Sequence, residues 1–475
     1  MQNEITLLFA VVFCLLVIIT RPVYALCVYF LSLLWYPNYM MVSFGTIDVS
    51  LSRFVVGVLF LRCIFDGRIR SKFVWMYLDT LVALSMAVYV VTICIVEPLS
   101  TSVENRGGFL MDTWFAYMVV RYIITDIARL QTVIKCVGIA LVPLAFLGII
   151  ESVTGWSPYA LICGKSLYFN YVTHYGARWG LNRGVGPFSH SILFGCAFAM
   201  FLPLVYYLRN EKGNWGTGAY ILSGITLLGA LSSMSSSPWV MVIAVIFCLA
   251  MEKRKYLVKP VLISLVFLCI FIAIASNRPF YHVVASYANP LGGSGWHRAK
   301  LIDCAIEHFD EWWLVGYGDK DPGWGPSLGM SKTDVTNEFI LAGVRYGILG
   351  IIALCIVLAA TFFGLLSAYR KTTEPKLRSL YWSLGCVLSS VIVTWLSVSF
   401  FGQLMPLFYC VLGIIGSSFD FVSDDMIIVK GRLSDIPKFA TNNGLSLGIG
   451  TTELRYIQVR RWKLSVNKTL RTTWK

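Results

Sequence analysis

Long apolar stretches separated by short polar connections run along most of the chain. Several of them approach the roughly 20 residues that a helix needs to cross a bilayer. Because a backbone inside lipid must satisfy its own hydrogen bonds, the pattern predicts helices. The expected fold is an all-α polytopic membrane protein with about 12–13 transmembrane helices. The predicted spans lie near residues 5–20, 22–36, 50–66, 74–97, 109–125, 131–151, 189–208, 217–233, 237–251, 257–275, 336–368, 378–399 and 401–420.

The overall composition agrees with this pattern. Hydrophobic residues make up 57% and charged residues 13% of the 475 residues, and the mean hydropathy is +0.71. An ordinary soluble domain carries about 25% charged residues. The first apolar stretch follows Met1-Gln2-Asn3-Glu4, which has no basic residue, so we expect a retained anchor and not a cleaved signal peptide.

The net charge of +14 follows from the predicted topology. Basic residues cluster in short connections between spans, and such connections usually face the cytoplasm. With the spans above, all four basic connections fall on the same side, so nucleic acid is not expected as a partner. The four connections are residues 68–72, 209–212, 253–259 and 370–378.

The topology divides the chain into four parts and leaves two long segments, residues 152–189 and 276–335, on the outer face. Long outer loops rich in Trp, Tyr and Gly are typical of binding or catalytic segments. The basic tail is expected inside, where membrane lipid headgroups are a possible partner. The parts are N-terminal transmembrane helices 1–151, a core 152–350 with the two outer loops, C-terminal transmembrane helices 351–420 and a cytoplasmic tail 421–475.

Arginine and glycine alternate in the first outer loop, just before the span that begins near Ile192. Arg178 and Arg183 stand beside several glycines, and His190 ends the segment. The planar guanidinium group matches phosphate geometry, and glycine allows close backbone approach. A diphosphate at the membrane surface is therefore a candidate ligand. The alternative is an arginine pair that contacts lipid headgroups.

The second outer loop combines cationic and aromatic residues. Trp296 and Arg298 are close in sequence, and Trp312 and Trp313 follow. Sugars stack their apolar faces on aromatic rings while polar groups bind hydroxyls, so the three tryptophans are candidate glycan contacts. Tryptophans at a membrane interface show a similar pattern.

Polar residues open the span that begins near residue 336. Asp334 and Glu338 are four residues apart and share one helix face, with Asn337 between them. A carboxylate there is a candidate acceptor for the proton of an attacking hydroxyl. The alternative is an acidic helix start with a structural pair between Glu338 and Arg345.

Together these segments resemble the O-antigen ligase and Wzy-type polymerase superfamily. The resemblance covers roughly residues 178–350 and rests on the order and spacing of three motifs. The motifs are Arg183-Gly184-Val185-Gly186-Pro187-Phe188-Ser189-His190-Ser191-Ile192-Leu193-Phe194-Gly195, the segment 298–318, and Asn337-Glu338-Phe339-Ile340-Leu341 with Gly347-Ile348-Leu349-Gly350.

The resemblance implies a GT-C-like ligase architecture with a large periplasmic loop in the bacterial inner membrane. It implies an inverting glycosyltransferase without metal or other cofactor, which moves a polyprenyl-diphosphate-linked glycan to a glycan or lipid-core acceptor in O-antigen or exopolysaccharide biosynthesis. Arg183 and Arg298, with Arg178 as a neighbour, would bind the diphosphate. Acceptor activation would fall at Thr336-Asn337-Glu338.

The chain departs from the family pattern at two places. Many ligases have histidine before the asparagine, whereas this chain has Thr336. The residues that remain open as the base are Glu338, Asp334, His190 and His297. The segment 232–238 is Ser-Ser-Met-Ser-Ser-Ser-Pro, where relatives often have Ser-Arg-Gly, so one expected positive charge is missing.

A transporter or flippase of lipid-linked saccharides is the alternative function. It also needs many helices and buried charges. Transporters are typically built from repeats with broken helices in matching halves. Neither repeats nor matching broken helices are evident in the sequence, so transfer chemistry is favoured.

Overall fold

The computed structural model describes residues 2–163, 177–287, 291 and 295–434, so parts of both outer loops and most of the tail lie outside the described residues. Within these residues the chain is mostly helical with only two short strands, and the predicted all-α polytopic class is confirmed. The helices are α1 (Gln2–Ile19), α2 (Pro22–Trp35), α3 (Leu51–Phe65), α4 (Gly67–Arg70), α5 (Tyr77–Val96), α6 (Leu99–Leu110), α7 (Ala116–Ile123), α8 (Ile127–Thr154), α9 (Pro158–Ile162), α10 (Ser191–Tyr207), α11 (Asn214–Ser232), α12 (Ser236–Met251), α13 (Val258–Ala275), α14 (Phe280–Tyr287), α15 (Gly295–Glu307), α16 (Phe309–Trp312), α17 (Glu338–Lys371), α18 (Pro375–Trp395) and α19 (Leu404–Ser434).

Among the described residues, seven helices are long and apolar enough to cross a membrane, and three shorter helices are also apolar. They coincide with most of the predicted spans. The seven are Tyr77–Val96, Ile127–Thr154, Ser191–Asn210, Lys255–Ala275, Glu338–Lys371, Pro375–Trp395 and Leu404–Phe421, and the shorter three are Asn3–Ile19, Pro22–Trp35 and Ser236–Met251.

The predicted span 109–125 is not one regular helix. It divides among α6, a π-helical segment (Met111–Phe115) and α7. Asp112 in this segment accepts hydrogen bonds from both Nε and Nη2 of Arg53 in α3, the shortest at 2.7 Å. One extra residue in a helix usually forms a single π-helical turn, and this turn rotates the Asp112 side chain toward Arg53.

A short hairpin occupies the connection between α2 and α3, where the sequence analysis expected no strand. Strands β1 (Met41–Phe44) and β2 (Ile47–Ser50) are antiparallel. Val42 pairs with Val49, and the turn contains Gly45 with φ +65°. Strands of four residues are too short for an alternation of apolar and polar residues to be recognised next to the neighbouring apolar spans.

Helix α10 lies at the centre of the bundle and packs against α8, α11, α12 and α18. Its phenylalanines Phe194 and Phe198 are fully buried. The residue two positions before His190, Phe188, is also buried and packs edge-on against Phe194 with ring centroids 5.9 Å apart. The start of α10, and the arginine-containing segment before it, are therefore fixed by the core.

Three of the four basic connections meet at the other end of α10. Lys135 near the start of α8 pairs with Glu211 at 2.6 Å, and Arg209 pairs with Glu252. Glu252 also accepts a hydrogen bond of 2.9 Å from Ser379 of α18. These three connections therefore lie next to one another, and the location of all four on one membrane side stays a prediction.

Helix α17 is broken, although the sequence analysis found no broken helix. Gly347 has φ +70° and ψ −170° inside it. The outer loop fills the break, because Tyr317 N–H donates to the carbonyl of Val344 at 2.6 Å and Ile348 N–H donates to the carbonyl of Trp313 at 2.7 Å. A Cβ atom on Gly347 would lie 2.3 Å from a backbone oxygen of this loop, so the position requires glycine.

Candidate functional site

The three predicted diphosphate-binding arginines converge on one place, the start of α12. They come from two distant parts of the sequence, and we call them with the serines they contact the arginine cluster. Each donates to a different one of three consecutive serines: Arg183 Nη2 to Ser235 Oγ at 2.7 Å, Arg178 Nη1 to Ser236 Oγ at 3.0 Å and Arg298 Nη2 to Ser237 Oγ at 3.1 Å.

The helix start adds partial positive charge to the arginine cluster. Ser235 is the N-cap of α12, a helix of 16 residues. The first N–H groups of a helix have no partner within it, and the helix dipole makes that end favourable for anions. Arginines and helix start together therefore form a strongly cationic site.

The arginine cluster is not neutralised by acidic groups near Arg178 and Arg298. In the part of the chain that the structure describes, neither residue forms an ion pair with a carboxylate. Burial lowers the pKa of the Arg298 guanidinium, and the positive charge of Arg178 lowers it further. Burial also lowers the pKa of Arg178. Both stay protonated at neutral pH, so the protein holds like charges together in a way that suits an anionic ligand.

Close backbone packing explains the glycine after Arg183. Gly184 N–H donates to the carbonyl of Ser232 at 3.0 Å. A Cβ atom on Gly184 would lie 2.8 Å from the carbonyl oxygen of Gly148 in α8. The sequence analysis expected this glycine to let the backbone approach a ligand, whereas the structure shows it approaching the protein's own helices.

Glu151 organises the same segment and was missed by the sequence analysis. It is buried near the end of α8, where one carboxylate oxygen accepts the N–H groups of Val185 and Gly186, both at 2.7 Å. The other oxygen accepts a hydrogen bond of 2.5 Å from Ser157. The available signal was a lone carboxylate at the end of an apolar span, since ionisable residues there usually have a role.

His190 is the N-cap of α10 and borders the arginine cluster. Its Nδ1 accepts the N–H of Ile192 at 3.0 Å, which assigns the proton of the neutral ring to Nε2. Burial and the charge of Arg183 lower the pKa of His190 to about 4. The next residue, Ser191, lies 3.0 Å from Ser235 between hydroxyl oxygens. At neutral pH this geometry favours a neutral hydrogen-bond donor, and the catalytic role of His190 stays a prediction.

The low pKa of His190 predicts a loss of stability in acid. Below the ordinary value of 6.5 the unfolded chain binds a proton that the folded chain does not bind until about pH 4. Stability should therefore fall as pH decreases through this range, by up to about 1.4 kcal/mol per pH unit from this group. His190→Asn keeps an N-cap acceptor but does not titrate, so its Tm should depend less on pH. Parallel Tm profiles for the variant and the wild type would contradict this assignment.

Asn337 and Glu338 connect α17 to the turn that follows α18. Asn337 is the N-cap, with Oδ1 accepting the N–H groups of Phe339 and Ile340, and its Nδ2 donates to the carbonyl of Leu396 at 3.1 Å. Glu338 is buried and accepts the N–H of Phe400 at 2.8 Å. Both side chains thus position the segment 396–400.

That segment reaches the arginine cluster. The hydroxyl groups of Ser397 and Ser237 are 3.4 Å apart, and Ser399 donates to the carbonyl of Val335 at 2.9 Å. The third motif therefore contacts the cluster through 396–400. The predicted catalytic roles of Asn337 and Glu338 stay predictions.

Asp334 lies beside the helix that carries Arg298. Its carbonyl oxygen is 3.4 Å from His297 Nε2. Burial raises the pKa of the Asp334 carboxyl group, and His297 partly offsets that shift. A carboxylate with a raised pKa is better suited to accept a proton than an ordinary aspartate, so its catalytic role also stays a prediction.

The three predicted glycan-binding tryptophans differ in exposure. Trp296 is 60% exposed and Trp313 is 44% exposed, so both rings can meet a ligand. Trp312 is only 6% exposed, packs in a small core with Leu301 and Cys304, and donates its indole N–H to the carbonyl of Ala305 at 2.9 Å. The outer loop thus buries the Trp312 ring, and the glycan-binding role of all three tryptophans stays a prediction.

Comparison with known proteins agrees with the motif analysis. Residues 221–355 match the family model described as O-antigen ligase. The matched segment contains the serines of the arginine cluster, Arg298 and Asn337, whereas Arg178 and Arg183 precede it. No match was found among curated proteins. The family match thus confirms, over residues 221–355, the resemblance to the membrane O-antigen ligase and Wzy-type polymerase superfamily.

Proposed function

We propose that this protein is a glycosyltransferase that moves a polyprenyl-diphosphate-linked glycan onto a hydroxyl acceptor. The transfer takes place at the outer face of the membrane that the protein spans. The observation that carries the proposal is the convergence of Arg178, Arg183 and Arg298 at the start of α12. Buried or partly buried guanidinium groups and a helix start together are suited to a diphosphate. The match to the O-antigen ligase model supports the same chemistry.

The proposed reaction is a single displacement at the anomeric carbon. The acceptor oxygen forms a bond to that carbon while the bond to the phosphate oxygen breaks, and the electron pair leaves with the diphosphate. The hydroxyl proton passes to a base, and the configuration at the sugar inverts. The arginines stabilise negative charge on the leaving group, which makes the catalysis mainly electrostatic and needs no metal or other cofactor.

Asp334 is the proposed base among the candidates. Its raised pKa favours proton uptake, and it lies next to the helix that carries Arg298. Glu338 already accepts the N–H of Phe400, and His190 presents Nε2 as a donor, which suits a contact to the substrate better than proton removal.

The proposed location is the bacterial inner membrane, with the arginine cluster facing the periplasm. The basic connection 209–212, whose Arg209 and Glu211 pair with Glu252 and Lys135, lies at the opposite end of α10 from the cluster. Since such connections usually face the cytoplasm, the cluster would face outward. A lipid-linked donor and a glycan or lipid-core acceptor both reach that face.

The broken helix α17 is the observation that favours a transporter, because transporters often bind substrate at such breaks. Here the backbone groups at Gly347 are occupied by the outer loop, through Tyr317 and Trp313. The break therefore does not offer its polar groups to a substrate, and transfer is favoured over transport.

The test is a transfer assay with the purified protein in liposomes. Radiolabelled undecaprenyl-diphosphate glycan, extracted from the cells that make the protein, is mixed with acceptor material from those cells. We expect release of undecaprenyl diphosphate together with a larger labelled glycan product. Movement of the labelled lipid across the bilayer without donor consumption would instead identify a transporter and overturn the proposal.

A further inference from the structure

A two-residue hairpin beside the arginine cluster has an unusual sequence. Arg178 and Leu181 exchange two backbone hydrogen bonds of 2.9 and 3.0 Å, and Trp179 and Gly180 form the turn. Both turn residues have positive φ, 54° for Trp179 and 80° for Gly180. Such a turn strongly prefers Asn-Gly or Gly-Gly, and a bulky residue in its first position is strained. Strained residues persist where the surrounding structure enforces them, often at ligand sites.

The strained residue presents its ring to the surroundings. Trp179 is 69% exposed, and its ring meets Trp239 edge-to-face, with centroids 5.6 Å apart and an interplanar angle of 78°. Trp239 is itself fixed, because its indole N–H donates to the carbonyl of Leu231 at 3.1 Å. We call these two rings the tryptophan platform.

Both tryptophans of the platform are close in sequence to residues of the arginine cluster. Arg178, the residue before Trp179, donates to Ser236 at 3.0 Å. Trp239 follows Ser236 by three residues in α12, which is nearly one helical turn. The same hairpin and the same helix start therefore position a guanidinium group and an exposed indole face side by side.

We infer that the tryptophan platform, Trp179 supported by Trp239 beside the Arg178–Ser236 contact, is a saccharide subsite that stacks on the apolar face of a sugar near the diphosphate. This inference rests on the proposed function. Pyranose C–H faces stack on aromatic rings, and Trp supplies the largest face. A membrane-interface anchor would also be exposed, but it needs neither the left-handed backbone nor the edge contact that sets the ring's direction.

Trp179→Gly removes the exposed indole ring without destabilising the turn, so the effect on ligand binding can be measured by itself. Glycine suits positive φ, so the variant should melt at the same temperature as the wild type or higher. Its affinity for undecaprenyl-diphosphate glycan should fall about tenfold, with KM raised by a similar factor and kcat nearly unchanged. Affinity for undecaprenyl diphosphate without sugar should not change. Trp179→Tyr, which keeps an aromatic face, should recover most of the glycan affinity.

Trp156→Gly is the matched control, since Trp156 is also exposed and follows α8 near the same end of the bundle. It should bind both lipids like the wild type. Equal glycan affinity in Trp179→Gly and the wild type would overturn the subsite. A matching loss of affinity for the sugar-free lipid would also overturn it, because Trp179 would then contact lipid. A wild-type protein that binds neither lipid would instead overturn the proposed function itself.

Discussion

Arg298→Ala should lower kcat/KM for glycan transfer by about 10²–10³-fold, the usual effect of losing one preorganised donor at a developing negative charge. Arg298 is partly buried, donates a hydrogen bond to Ser237 and lies close enough to Arg178 for the two positive charges to interact. Its guanidinium group therefore acts in a partly desolvated site, where charge stabilisation is strong. Arg298→Lys should recover little activity, because an ammonium group cannot donate two parallel hydrogen bonds. The measurement is initial rate against donor concentration in liposomes.

Lys300→Ala is the matched control for Arg298→Ala. Lys300 lies on the same helix, α15, two residues further on, and its Nζ is 3.7 Å from Glu307 on the surface. Loss of this positive charge should leave kcat/KM within about twofold, since exposed ion pairs contribute little. A folded Arg298→Ala protein with wild-type kcat/KM would show that the arginine cluster takes no part in transfer.

Glu151→Ala should both destabilise the protein and abolish most of the transfer. The substitution leaves the buried N–H groups of Val185 and Gly186 without an acceptor, at a cost of about 1–3 kcal/mol for each. Arg183 lies two residues before Val185 in the same segment, so its guanidinium group should lose its position on Ser235. The measurements are the Tm of the purified protein in detergent and the transfer rate at a temperature where it is folded.

Glu151→Gln is the informative comparison. The amide oxygen can still accept hydrogen bonds from the backbone, while the amide NH₂ group replaces the oxygen that accepts from Ser157. Both Tm and rate should therefore fall between the values for the wild type and Glu151→Ala. Wild-type Tm and rate in Glu151→Ala would contradict the assignment of Glu151 as a positioning residue.

Most of the helices and the three arginines of the cluster could be predicted from the sequence, the helices from hydrophobic patterning. The patterning works because a bilayer imposes length and apolarity on each span. The arginines were identified by chemistry, since guanidinium groups beside a span are rare and match phosphate. Their meeting point at Ser235–Ser237 was not predictable, because contacts between residues far apart in sequence depend on helix packing.

The serine-rich segment illustrates this limit. From the sequence, residues 232–238 were interpreted as the loss of an expected arginine. In the structure three of these hydroxyl groups accept hydrogen bonds from the arginines, so the segment belongs to the site. The exposure of a side chain could not be predicted either: Trp296 and Trp312 both lie in the second outer loop, and only the packing of that loop buries Trp312.

Two polar side chains were predicted to be catalytic, and the structure shows that both form hydrogen bonds with the backbone. Asn337 and Glu338 bind backbone groups of the turn 396–400, which lies about 60 residues further along the chain. A sequence motif does not reveal such partners. Glu151 could not be recognised because it stands alone near the end of a long apolar span, outside any polar motif.

Because of the break at Gly347, the outer loop and helix α17 complete each other's backbone hydrogen bonds and can be exchanged between relatives only together. The carbonyls of Val344 and Arg345 accept N–H groups of the loop, and the loop carbonyl of Trp313 accepts Ile348 N–H. Unpaired backbone groups in lipid cost several kcal/mol each, so a foreign loop without this docking segment would leave the helix incomplete. A chimera that transplants substrate preference between relatives must therefore carry the loop and the membrane helix together.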